Sequence, residues 1–439
     1  EDRAQQEEDR VVGVAALHRG FCRTHHRRRR GEIRFADTQV ENGAPGALQR
    51  RTLSRVVTLE GVTLFTGVRA ILDIAPVRQH LLTRQPRSEE PIAGLSGANK
   101  SVRGGIFFEA RPNDRSPSCP AFFADIRHIA TEARRTVLSS VGVPLSPPLA
   151  GSAAGTPPAR PSAQAFVTPP AGTQSATPAS VQTVEHVLSA LMGLGVTDAL
   201  ITLTGPEVPV LDGSSIDFVR AIDRAGLVTL SPPAPASPTS TPAGLSGGST
   251  DRTSPIIIRE RLEIADDKDP SVRIVAEPLS ADEQARGVGL VLRYELDYRL
   301  ETTGLNMRQA FEWAVPSDPA KAAAEYRELV APARTFCTLA EAQAMRAKGM
   351  FTHLTAREML VLRQDTMGSG EGGGGVEAID NDLRYPDEPA RHKVLDLLGD
   401  LALVGGPGGS RRIVGRITAT RTGHHHNHQM ARLIVLRAT

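Results

Sequence analysis

Apolar and polar positions alternate through "RRTLSRVVTLEGVTLFTGVRAILDIAP" (50–76) about a glycine-containing turn, which predicts a strand hairpin. In "TVEHVLSALMGLGV" (183–196) a helical period replaces the alternation and ends at glycine; the strand-like "DALITLTG" (198–205) follows. Strands are also predicted in "PIIIRERLEI" (255–264) and "GLVLRYELDYRL" (289–300), and helices over 319–330 and 338–349. Helical spacing returns in "RHKVLDLLGDLAL" (391–403), ahead of the strand "RIVGRITATRTG" (412–423). The two halves rhyme. Each has a helix with a histidine in its first turn, a glycine-containing break and a strand, which suggests two similar α+β domains facing each other.

Several stretches interrupt the pattern. Residues 145–180 are rich in Pro, Ser, Ala and Thr, as are residues 231–250. Such segments bury too little apolar surface to offset chain entropy and read as disordered insertion and linker. "GSGEGGGG" (368–375) marks another loop. Residues 1–46, with the run His25 to Arg30 and acidic clusters, read as a solvated extension, too acidic for a typical transit peptide. The expected organisation is an extension (1–46), domain I (47–230, with the insertion 145–180), a linker (231–254) and domain II (255–439).

The helix at 391–403 carries His392, Asp396 and Asp400 at four-residue intervals. Positions i and i+4 lie about 40° apart around a helix, so His392 and Asp396 can approach one metal ion together, with Asp400 one turn further on. Val394, Leu397, Leu398 and Leu401 occupy the other side and anchor it in a core. Spacing alone fits a surface helix with solvated carboxylates better than it fits a site. Glu185 and His186 begin the other helix. Two histidines and a carboxylate make a common open zinc site, beside which Glu185 could take a proton from water. "TGHHHNHQ" (422–429), read as an extended segment whose histidines alternate sides, is either a separate metal site, a surface tract or the source of one histidine held by a carboxylate such as Asp400. "GPEVPVLDGSS" (205–215) is a Pro/Gly turn, and Thr335 in "ARTFC" is a plausible helix N-cap.

Composition narrows the field. A chain of 439 residues accommodates two or three domains, and 51 basic residues against 49 acidic ones give no global attraction to nucleic acid or an anionic membrane. Only five of the basic residues are lysines, which singles out Lys393 beside His392. Cys22, Cys119 and Cys337 are far apart, so neither a disulfide framework nor a thiolate zinc site is expected, and a reducing compartment fits. No apolar run approaches the ~20 residues of a membrane span.

Together the segments "RRTLSRVVTLEGVTLFTG", "TVEHVLSALMGLGV", "GPEVPVLDGSS", "ARTF", "LRYPDEPARHKVLDLLGDLAL" and "RTGHHHNHQ", in this order, resemble the UDP-3-O-acyl-N-acetylglucosamine deacetylases, zinc amidases of lipid A biosynthesis. The resemblance implies an α+β fold of two similar domains, each a helix layer packed on a β-sheet, with the active site between them. It implies that His186, His392 and Asp396 hold Zn2+, that Glu185 is the general base, and that Asp400 orients His424 as the second acid/base or electrostatic group. Thr335 would donate to the oxyanion, Phe336 would line the site, and Lys393 would lie on the substrate's anionic or carbonyl side. The implied reaction is attack of water on the 2-acetamido carbonyl of an acylated UDP-N-acetylglucosamine, with release of acetate. A monomer is expected, cytoplasmic in a bacterial setting and organellar, in a mitochondrion or plastid, in a eukaryotic one.

Two departures matter. Phe65 stands in "TLFTG" where the family usually has histidine, and "GMFTHLTAREMLVLRQDTMGSGEGGGG" lacks the family's stretch in the insert that forms its acyl-chain passage. The long Pro/Ser/Thr insertions look like those of a nuclear-encoded homologue of the plant and algal lineage. Two alternatives to an active deacetylase therefore stand: a zinc amidase for another acylated sugar, and a catalytically weak or silent homologue that binds an acylated nucleotide sugar.

Overall fold

The alternation at 50–76 becomes an antiparallel hairpin whose inward positions, Leu59, Ala70, Leu72 and Ile74, are buried. The computed structural model of the chain describes residues 49–77, 105–111, 121–130, 134–142, 179–230, 254–299, 303–364, 376–405 and 411–437. The extension 1–46, the tracts 231–250 and 368–375, nearly all of 145–180, and Cys22 and Cys119 lie outside them.

The architecture is α+β. In chain order come β1 (Arg51–Leu53), β2 (Val57–Val62), β3 (Arg69–Ala75), β4 (Ile106–Arg111), β5 (Phe122–Phe123), β6 (Ile129–Ala130), β7 (Val137–Ser139) and β8 (Ser180–Gln182). Next are α1 (Glu185–Gly193), β9 (Ala199–Thr204), α2 (Ile216–Ala225) and β10 (Leu227–Thr229). The later half begins with β11 (Ile256–Ile257), β12 (Leu262–Ala265), β13 (Arg273–Glu277), α3 (Ala281–Ala285), β14 (Val288–Tyr298), β15 (Met307–Pro316) and α4 (Pro319–Leu329). It ends with β16 (Phe336–Thr338), α5 (Leu339–Ala347), β17 (Leu360–Gln364), β18 (Val376–Ala378), α6 (Glu388–Leu401), β19 (Ile413–Thr420) and α7 (His424–Arg437).

Two mixed sheets dominate: β2-β3-β9-β4-β5, and β12-β13-β19-β14-β15 with β11 beside β19. In each, the strand that follows a site helix, β9 or β19, runs parallel to one neighbour and antiparallel to another. The strand expected over 255–264 splits into β11 and β12, because the charged Arg259, Glu260 and Arg261 between them are exposed. The hydroxyl at the head of α5 belongs to Thr338, which forms a capping box with Glu341; Thr335 precedes β16 and is not the cap.

Helix α6 is not a surface helix. His392, Asp396 and Asp400 are as buried as Val394, Leu397 and Leu401, because α6 has α1 against one side and β14 and β15 against another. All of α1 except Met192 is buried too. One apolar cluster runs through both, joining Leu188 and Leu191 to Leu395 and Leu398, each fully or almost fully buried. Burial of such a side chain contributes about 1.5–3 kcal/mol.

The two helices touch at their backbones. A Cβ placed on Gly399 would meet the Glu185 carbonyl oxygen at 2.1 Å, so only glycine lets α6 pass α1 this closely. Gly399→Ala must therefore push the helices apart, and a loss of about 1–3 kcal/mol is expected. Equilibrium denaturation of the variant checks this; unchanged stability would mean that Gly399 does not set the spacing.

Candidate metal centre and acid–base pair

The close crossing brings the first turn of α1 alongside the middle of α6. His186 and His392 meet edge to face with ring centroids 5.0 Å apart. Their Nε2 atoms lie 3.6 Å and 3.4 Å from the same oxygen, Asp396 Oδ1. The other oxygen, Asp396 Oδ2, accepts from Lys393 Nζ at 3.0 Å. His186, His392 and Asp396 form one of two groups, among the described residues, whose ligand atoms all fall within 4.8 Å of one another.

The donor atoms suit a metal ion. His392 Nδ1 donates to the carbonyl of Ala333 at 3.1 Å, which leaves the Nε2 lone pair facing His186 and Asp396. Burial pushes His392 down to about 3 against the pull of Asp396, so its ring is neutral at physiological pH. Burial opposes the charge of Asp396, yet the facing His392 and the Lys393 ammonium keep its carboxyl well below the usual range. Two imidazoles and one carboxylate are the donor set of an open catalytic zinc site.

The Ala333 carbonyl is itself anchored. Arg334 and Glu388, both buried, pair at 2.8 Å (Nε to Oε1), and the Arg334 backbone N–H donates to the same carboxylate oxygen at 3.0 Å. This ties the segment before β16 to the N-terminus of α6. Phe336 follows, with its ring 6.3 Å from that of His392 and Lys393 Nζ 5.7 Å from its centroid. Thr335 lies between Arg334 and Phe336; its N–H donates to the Gly213 carbonyl at 2.7 Å, and its carbonyl accepts from Leu360 N at 2.9 Å.

Glu185 lies beside the cluster. Its Oε2 accepts from the Thr136 N–H at 3.1 Å, and its Oε1 faces His424 Nε2 across 3.9 Å. Burial raises the Glu185 carboxyl above its ordinary value, offset in part by His424 and His186. The preceding turn is pinned, since Thr183 has φ of 57°, rare for a β-branched residue, and its hydroxyl donates to the buried Glu207 at 2.8 Å. Glu207 also accepts from the backbone N–H groups of Phe65 and Thr66, each at 3.1 Å. The Phe65 ring lies 5.6 Å from that of Phe351, with the Arg135 guanidinium 4.7 Å from its centroid. Cys337 is buried, and burial pushes its thiol up to about 12, which rules it out as a nucleophile at neutral pH.

The histidine run is helical, not extended. His424 opens α7, and an apolar face with Met430, Ala431 and Ile434 buried seats that helix in the core. His424 and His428 therefore share a side, a pairing that an extended reading misses, and with Asp400 they make the second compact group. Asp400 Oδ2 accepts from His424 Nδ1 at 2.8 Å and from Asn427 Nδ2 at 2.9 Å. Its Oδ1 accepts from the Thr136 hydroxyl at 2.5 Å and from His428 Nε2 at 3.1 Å. Four donors satisfy the carboxylate, so the cluster reads as a hydrogen-bonded network. Neither Thr136 nor His428 stood out in the sequence; the signal for His428 was its four-residue spacing from His424.

A family model described as UDP-3-O-acyl N-acetylglycosamine deacetylase (LpxC) matches residues 157–436. The chain belongs to that family. Among its relatives are UDP-3-O-acyl-N-acetylglucosamine deacetylases of Anaeromyxobacter sp. (strain Fw109-5), 31% identical over 58% of this chain and 67% of the relative, and of Phenylobacterium zucineum (strain HLK1), 30% identical over 59% and 70%. That of Thermosynechococcus vestitus is 32% identical over 58% of this chain and 70% of its own length. The matched family segment contains α1, α6 and α7, whereas Thr136 and the Phe65 hairpin precede it.

Burial works against a charge on His424, but the Asp400 carboxylate outweighs it and raises the imidazole to about 10. Because that folded-state value exceeds the unfolded one, the pairing stabilises the fold fully below the unfolded pKa and is lost as pH rises through about 10. Asp400 is shifted the other way: burial opposes its charge, His424 and His428 hold the carboxyl below its ordinary value, and its contribution is lost only in acid. Asp400→Asn should lower the His424 pKa, which an NMR titration of the imidazole nitrogens reads directly. An unmoved titration would show that Asp400 does not hold the charge.

Proposed function

We propose that the chain hydrolyses the 2-acetamido group of UDP-3-O-(3-hydroxyacyl)-N-acetylglucosamine, releases acetate and serves an early step of lipid A biosynthesis. Family membership supports the reaction class. The observation that carries the reading for this chain is the pair Glu185 Oε1 and His424 Nε2, 3.9 Å apart, beside the three-donor cluster of His186, His392 and Asp396.

Those three residues would hold Zn2+, which when bound supplies Lewis acidity, polarising the amide carbonyl and acidifying water at neutral pH. Lys393 keeps Asp396 Oδ2 occupied and so would leave Oδ1 available as a ligand. Glu185 removes the proton from the attacking water, and its raised carboxyl makes it a stronger base than an exposed glutamate. His424, charged at neutral pH through Asp400, stabilises the negative charge that develops on the carbonyl oxygen. It then gives its proton to the departing amine. The proton taken by Glu185 returns to His424 across the gap, so the water has delivered hydroxyl to the acyl carbon and hydrogen to the nitrogen.

Thr335 is assigned as a further donor to the oxyanion and Phe336 as a wall of the site, beside His392. The hairpin residue Phe65 is engaged with Phe351 and Arg135 and offers no polar side-chain group to substrate. A monomeric protein in a reducing compartment fits this chemistry. The division into domains at residues 231–254 belongs to the same reading.

Metal analysis together with acetate release from the UDP-sugar tests it. Wild type and Glu185→Gln should both hold one zinc per chain, and the variant should lose about 10²-fold or more in kcat. Chelation should abolish turnover and added zinc restore it. A zinc-loaded wild type that releases no acetate would sink the reading, and full zinc occupancy in His392→Ala would overturn the ligand assignment.

A further inference from the structure

Thr136 precedes β7, is fully buried, and uses every polar atom it has on the acid–base pair or on the helix that carries the base. Its N–H donates to Glu185 Oε2 at 3.1 Å, and its carbonyl accepts from Val184, the N-cap residue of α1, at 3.4 Å. Its hydroxyl donates to Asp400 Oδ1 at 2.5 Å. His428 Nε2 lies 3.1 Å from the same hydroxyl and 3.1 Å from the same carboxylate oxygen, and so closes a small ring of hydrogen bonds. His424 Nδ1 sits 3.4 Å from the hydroxyl and 2.8 Å from Asp400 Oδ2. The shorter contact is the bond, and it leaves Nε2 directed at Glu185.

One residue thus grips both sides of the Glu185–His424 gap. The base is held through the Thr136 backbone, and the histidine through the Thr136 hydroxyl by way of Asp400. Glu185 and Asp400 come from different helices, α1 and α6, and His424 from a third, α7, so no single helix fixes their separation. The arrangement uses three features of Thr136: a free N–H, a hydroxyl, and a buried strand-edge position between the helices.

We propose that Thr136 is a positioning residue that sets the register between Glu185 and the Asp400–His424 pair, with His428 steadying the hydroxyl. It touches neither the metal-ligand cluster nor the place where substrate would react, and it acts through the two groups it holds. The activity arm of the test rests on the deacetylase reading; the structural arm does not.

Thr136→Val keeps the shape and both backbone bonds and removes only the hydroxyl. Its kcat should fall by about 10²-fold, the scale of a 1 Å misplacement near reacting groups, with KM within about twofold and zinc content unchanged. Thr136→Ser, which retains the hydroxyl, should recover kcat to within about threefold. A merely structural role would instead lower the melting temperature or zinc content and leave kcat per folded, zinc-loaded molecule intact; that result overturns the proposal. Should Val fail to fold, Thr136→Cys, with a weaker donor of similar size, should fall well below Thr136→Ser in kcat, and equal values overturn the proposal. Crystal structures of wild type and Thr136→Val supply the readout that needs no activity. The 3.9 Å separation of Glu185 Oε1 and His424 Nε2 should widen in the variant, and its retention would overturn the proposal even if wild type proved inactive on the UDP-sugar.

Discussion

Everything at the site depends on how closely α1 and α6 approach. The Glu185 carbonyl sits where a side chain on Gly399 would be, and this backbone contact sets the spacing of the residues on either side. It brings His186 to His392 and Asp396, and it leaves Glu185 near Asp400 and His424. Gly193 plays the matching part at the far end of α1, where the Tyr326 ring occupies the space of a Cβ. Bulk at either glycine would push α1 away from its neighbour, α6 at Gly399 and the Tyr326 ring at Gly193.

The approach buries charge, and the structure answers by pairing it. Desolvating a carboxylate is costly unless donors replace its water. Asp400 has four such donors, Asp396 has Lys393 on one oxygen and imidazoles facing the other, and Glu388 has Arg334. Glu185 is the exception. Among the described residues one backbone N–H is bonded to it, and burial raises its carboxyl. A buried carboxylate with few partners is poised to accept a proton, which suits Glu185 to the base role proposed for it, while Asp400, equally buried, stays charged and holds a histidine.

Much of this was legible in the chain. The helical period of 183–196 and 391–403 and the strand after each give the helix-then-strand pattern seen twice, and the spacing of His392 and Asp396 makes them neighbours, because i and i+4 positions are fixed by helix geometry alone. Less local features were not. Thr136 sits in "RRTVLSS", where nothing in pattern or composition distinguishes it, and its value comes from partners 49 and 264 residues away in sequence. The segment 422–429 looked extended because histidine and asparagine are indifferent helix formers, and burial of Met430, Ala431 and Ile434 overrides that weak preference. The acidic face of α6 looked solvated because amphipathic spacing cannot tell water from a second packed helix.

The sequence by itself determined most of the central helices and strands, the family resemblance and the candidate side chains, since these follow from local periodicity and from residue types at set intervals. The tertiary structure alone decided which oxygen of each carboxylate is free, that His392 is neutral and His424 charged, and what separates Glu185 from His424. Those properties are set by burial and by contacts between segments remote in the chain, where the energy of a proton depends on distances of a few ångströms that no local pattern encodes.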